Sequence, residues 1–155
     1  MMEREYTEQE YLYWLCQIPS FGTVKIHRLW EHYGSFHDIY YIEGKELEEN
    51  KLVSARDAGC FDSCKTKLES AVEEYRGLAS QGIRFVSVLD EEYPRRLTYI
   101  SNNPMGLYVK GSLPDEERPT LAIIGARGCS NYGRQVAEYM GAALSKNGIQ
   151  IVSGL

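Results

Sequence analysis

Between an apolar run and a helical pattern lies Gly125-Ala126-Arg127-Gly128-Cys129-Ser130-Asn131-Tyr132-Gly133. A turn in that position presents the unpaired N–H groups and the positive dipole end of a helix, so an anion is its natural guest. Gly125 and Gly128 let the backbone approach a ligand closely, with Ala126 adding little bulk between them. Arg127 contributes a forked, permanently charged donor that matches phosphate. Ser130 or Asn131 can cap the helix or donate to a phosphate oxygen, and Tyr132 can stack on a base. The spacing is not G-x-G-x-x-G, because Arg127 stands where the second glycine would be, and no Gly-Lys-Ser/Thr of a Walker A loop follows. A dinucleotide dehydrogenase and a P-loop NTPase are therefore disfavoured.

The flanking elements set this turn at the end of a strand. Leu121-Ala122-Ile123-Ile124 is a continuous apolar run, which predicts a strand buried on both faces. A helix is expected from about Asn131 to Lys146, with Val136, Met140, Ala143 and Leu144 along one side and Gly148 ending it. Ile149-Gln150-Ile151-Val152 predicts the next strand. The result is a βαβ unit with a parallel sheet. Ligands of open parallel sheets bind beyond the carboxyl ends of the strands, so Ser153-Gly154 either forms a second wall beside the glycine turn or is an ordinary strand exit.

Upstream, residues 1–80 read as helices. Thr7-Glu8-Gln9-Glu10 is a capping-box pattern, Pro19 and Gly22 interrupt, and Gly34 is placed to end a second helix. Phe36 to Ile42 suggests a short helix, 46–58 a weaker one, and Thr66 to Ser80 a strong one closed by Gly82. Ile18-Pro19-Ser20-Phe21-Gly22 loosely matches a helix-hairpin-helix turn, although a plain helix-packing turn fits it better. Ile83 to Leu89 and Leu107 to Val109 then read as strands. The expected class is α plus α/β: a helical domain over 1–80, SAM-like or helix-hairpin-helix-like, and an incomplete Rossmann-like domain over 81–155. Two or three strands with one helix cannot cover both faces of a parallel sheet, so either the strands at Ile83 and Leu107 complete a small sheet or, as is expected, the chain is a fragment of a longer protein.

Composition narrows the function classes. The 43% apolar and 25% charged content is that of a folded chain. No apolar run is long enough to span a bilayer, and Glu3, Glu5, Glu8 and Glu10 crowd the start, so a cytoplasmic location without membrane contact is expected. Residues 1–80 carry 9 Lys/Arg against 15 Asp/Glu, whereas 81–155 carry 8 against 7. The second half is therefore the better-suited surface for any nucleic acid, and even there the positive charge must be local. Arg95 and Arg96 could extend such a basic rim. Cys16, Cys60, Cys64 and Cys129, with His27, His32 and His37, show no standard zinc spacing. No nucleophile–base pair is evident, and no catalytic residue, metal or cofactor is expected.

Five blocks carry a family resemblance: Tyr93-Pro94-Arg95-Arg96-Leu97, Asn103-Pro104-Met105-Gly106-Leu107-Tyr108-Val109-Lys110-Gly111, Ile123-Ile124-Gly125-Ala126-Arg127, Tyr132-Gly133-Arg134 and Val152-Ser153-Gly154-Leu155. In order and spacing they resemble the DprA/Smf DNA-processing family. The resemblance implies a non-enzymatic mediator that binds single-stranded DNA and loads a RecA-type recombinase onto it during natural transformation, with a homodimer possible in the full-length protein. It also implies that Gly125, Arg127, Ser153 and Gly154 line a basic DNA pocket, and Gly133 and Arg134 are further candidates for phosphate contact. Ala126 stands where Ser is common in the family, which removes one hydroxyl donor.

Two other classes are open from the residues alone. The same turn could hold a mononucleotide in a nucleotide-binding or nucleotide-cleaving protein, and the acidic helical half could dock another protein.

Overall fold

The structure, a computed structural model, describes residues 6–154, so Glu3, Glu5 and Leu155 of the patterns above lie outside the described residues. Contacts divide the chain into two compact units, Met1–Ser112 and Leu113–Leu155.

The first unit is built from α1 (Glu8–Gln17), α2 (Thr23–Tyr33), α3 (Phe36–Tyr41), α4 (Gly44–Glu49), α5 (Ala55–Cys64), α6 (Leu68–Gly77), β1 (Ile83–Ser87), α7 (Arg95–Thr98) and β2 (Gly106–Lys110). The start of α1 is the capping box its sequence announces. Thr7 Oγ1 accepts from the Glu10 amide at 3.3 Å, and the Glu10 carboxylate accepts from the Thr7 amide at 2.9 Å. Gly34 ends α2 in the left-handed region at φ 77°. The weak 46–58 segment is not one helix. Lys51 turns the chain at φ 56°, and a second capping box, Ser54 with Asp57, starts α5 afresh. The strong helix over 66–80 is α6 flanked by single 3-10 turns, with Gly82 left-handed at its end. The short helix α7 is not expected from the sequence; it begins just after Pro94, its N-cap.

Trp14, Tyr13, Phe36, Phe61, Leu12, Leu29 and Ile39 are fully buried at the centre of this unit, and Trp14 Nε1 donates to the Cys64 carbonyl at 2.9 Å. The Ile18–Gly22 turn packs as helix-helix connections do. Phe21 stacks on Phe61, and Ser20 Oγ and Lys25 Nζ both engage the Asp57 carboxylate, at 2.6 and 2.9 Å. Lys25, then Ser20 and Ser54, hold the Asp57 carboxyl well below the usual carboxylate range.

Strands β1 and β2 pair antiparallel with each other, Phe85 opposite Tyr108 and Ser87 opposite Gly106. They do not extend the parallel sheet. Phe85 and Met105 enter the helical core, which is why the hairpin belongs to the first unit. The change from helical to extended pattern at 80/81 is thus a change of element, whereas the compact units part at Ser112.

The second unit is β3 (Thr120–Ile123), α8 (Asn131–Lys146) and β4 (Gln150–Ser153), with β3 and β4 parallel. Gly148 at φ 79° closes α8, and the Ile149 amide reaches back to the Leu144 carbonyl at 3.1 Å, a Schellman ending. Two guanidinium nitrogens of Arg118 donate to the Gly148 carbonyl at 3.1 and 2.9 Å. Gln150 clamps the approach to β3: its carbonyl accepts from the Asp115 amide at 2.8 Å and its NH₂ donates to the Asp115 carbonyl at 2.6 Å.

The expectation that Leu121–Ile124 is buried on both faces is corrected. Leu121 and Ile124 are exposed, and no described residue of this unit is fully buried. One helix and one neighbouring strand shield only part of β3. The inner face of α8 differs too. Gly141 lies against Ile123, so that a Cβ there would stand 3.7 Å from its Cδ1, while Val136 and Met140 are exposed.

Candidate functional site

The parallel register places Ile123 opposite Ser153, so β3 and β4 run out at the same end. Beyond that end is an open cavity of about 690 Å³, within the size range of ligand sites. Of the residues expected from sequence, Gly125, Ala126, Arg127, Gly133, Arg134 and Gly154 line it. Gly128, Ser130, Asn131, Tyr132 and Ser153 do not, although all five are exposed nearby in the chain. The lining also includes Cys129, Ala137 and Glu138. Ala137 and Glu138 were legible in principle: each lies four residues beyond Gly133 or Arg134, on the same face of α8.

The side chains divide the work. Ser130 is the N-cap of α8, its Oγ accepting from the Gly133 amide at 3.1 Å. That satisfies one orphan donor. The Asn131 and Tyr132 amides, earlier in the first turn, have no acceptor among the described residues. Tyr132 is exposed, with a free ring. Neither Arg127 nor Arg134 forms an ion pair among the described residues, so two guanidinium groups face one carboxylate, Glu138, around the cavity. The local balance is positive although the chain as a whole is acidic. No group of three or more His, Cys, Asp or Glu suited to a metal exists among the described residues, and all four cysteines are free thiols.

The glycines act differently from the reason their type suggests. Neither Gly125 nor Gly128 has a positive φ, and a Cβ at either would meet nothing within 4 Å. The fold itself does not demand glycine there. What the missing side chains leave is an unobstructed surface over the backbone amides.

Residues 84–155 match the model of the family described as DNA recombination-mediator protein A. The chain belongs to the DprA/Smf family. Protein Smf of Borreliella burgdorferi is 34% identical over 120 residues, covering 77% of this chain and 37% of that protein. Protein Smf of Synechocystis is 27% identical over 154 residues, 94% of this chain and 38% of the relative. DNA processing protein DprA of Streptococcus pneumoniae is 39% identical over 69 residues, 44% of this chain and 24% of its own length. The chain therefore spans less than two fifths of the curated relatives it matches. No solved structure matches it.

Proposed function

We propose that this chain is a DNA-processing protein that binds single-stranded DNA at the end of its parallel strands and acts, without a catalytic step of its own, as a recombination mediator. The observation that carries this reading is the pair Arg127 and Arg134, both uncommitted among the described residues, on one cavity at the N-terminus of α8. Phosphate oxygens are held by the guanidinium groups and the open first-turn amides. The glycine backbone lets the strand approach, and Tyr132 offers a stacking face for a base. DprA/Smf membership supports DNA rather than a cofactor as the ligand. A RecA-type recombinase in the cytoplasm is the partner to which the strand would be handed, and a homodimer of the full-length protein is the assembly in which this would happen.

Fluorescence anisotropy with a labelled oligo-dT tests the reading. Binding should weaken steeply with salt as phosphate contacts release counterions, and Arg127→Ala should weaken it further. Absent or salt-independent binding would overturn it. The cavity volume also suits a mononucleotide. Displacement of the oligonucleotide by a mononucleotide at comparable concentration would favour that second reading.

A further inference from the structure

The β1–β2 hairpin and the α1–α2 turn enclose a second cavity, about 320 Å³, entirely within the first unit. Its apolar wall includes Phe21, Ile26, Phe85 and Met105, and Tyr108 and Gln17 also line it. Tyr108 is 55% exposed, yet its ring is held from several sides. Phe85 meets it edge to face at 5.4 Å and Tyr13 at 6.1 Å, and Gln17 Nε2 donates to its hydroxyl at 2.7 Å. An exposed tyrosine on a surface ordinarily samples several rotamers and pays entropy to stack. This one is fixed before any ligand arrives.

Two polar features stand beside the ring. The Gln17 carboxamide has donor and acceptor capacity for the edge of a base. Lys110, exposed and two residues further along β2, projects from the same face of the hairpin. A fixed aromatic face, an amide and a nearby cation are the components by which single strands are held.

We infer that Tyr108 is a second stacking platform for single-stranded nucleic acid, receiving one unpaired base at the mouth of this cavity with the adjoining phosphate near Lys110. The inference rests on the strand-binding reading above but uses a different unit and different residues. Because residues 1–80 are acidic, stacking rather than charge dominates here.

The test is photo-cross-linking of the 155-residue chain to an oligo-dT carrying single 5-iododeoxyuridines, with adducts mapped by mass spectrometry. Adducts are expected in the tryptic peptide 97–110, which contains Tyr108. Tyr108→Leu should weaken affinity roughly fivefold or more without changing the salt slope, and Tyr108→Phe should keep most of it. Adducts confined to 111–134, with Tyr108→Leu binding like the parent, would overturn this inference and leave the strand-binding reading standing. Failure of the unmodified chain to bind any oligonucleotide would overturn both. The cross-link is read on the unmodified chain, so the conclusion does not depend on the leucine variant folding.

Discussion

Ile123 on β3 stands opposite Ser153 on β4 in parallel register, and this pairing brings the Gly125–Arg134 loop and Gly154 to one cavity. Loop and strand exit thus line one cavity although some 20 residues separate Arg134 from Gly154.

That surface makes a clean test of the glycines. Gly125→Ala meets no atom within 4 Å and no left-handed backbone, so the circular dichroism spectrum should be unchanged. The added methyl enters the cavity, and oligonucleotide affinity should fall several-fold. By contrast, Gly148→Ala puts a Cβ on a residue at φ 79° and should cost about 1 kcal/mol of stability in the second unit, read by hydrogen exchange of the α8 amides.

Arg127→Ala should do more than weaken binding. Removing one phosphate contact should lower the slope of log affinity against log salt by about 1. An unchanged slope with weaker binding would mean that Arg127 shapes the loop rather than meeting phosphate.

Gly106 is a packing glycine. A Cβ there would overlap the Phe85 ring, so Gly106→Ala should destabilise the first unit by about 1–3 kcal/mol in urea unfolding. Equal midpoints for variant and parent would show that Phe85 can move aside at little cost.

Asp57 predicts a pH dependence. Its folded pKa is lowered by Lys25, Ser20 and Ser54, so its stabilising contribution is present above the unfolded value of about 3.9 and is lost as pH falls below that value towards the folded pKa. Asp57→Asn should therefore lower stability at pH 7 by about 1–3 kcal/mol, and the gap between variant and parent should narrow below pH 4. Urea midpoints across the acid range would show a constant gap if the ion pair contributed nothing.

The thiols should separate by environment. Burial pushes the Cys16 thiol up to about 12, whereas Cys129 is exposed in the glycine loop. Ellman's reagent at pH 8 should titrate Cys129 rapidly and Cys16 only on unfolding. Bound oligo-dT should slow the Cys129 reaction, because its side chain lines the cavity.

The local chemistry of the ends of elements was readable from residue types. Thr7 with Glu10, Gly34, Gly82 and Gly148 all sit where caps were expected, since capping depends on a few neighbouring residues. Non-local facts were not readable. Nothing in Leu121–Ile124 tells how many elements will cover the strand, so an apolar run reads as buried although Leu121 and Ile124 are exposed. The hairpin's allegiance to the helical core depends on Phe85 and Met105 reaching partners far away in sequence. In the site, charge and small residues pointed to the Gly125 turn. Ala137 and Glu138 needed the helix drawn on as far as its second turn.

The absence of any fully buried described residue in the second unit has a calorimetric consequence. The heat-capacity step of unfolding follows the apolar area exposed, and here that area belongs almost wholly to the first unit's core. A melting curve of this chain would chiefly report the helical unit. A ligand held only at the glycine loop stabilises the unit that contributes least to the thermogram. Screening by thermal shift would then be nearly blind to such a ligand, and probes placed on α8 itself would be needed to see it.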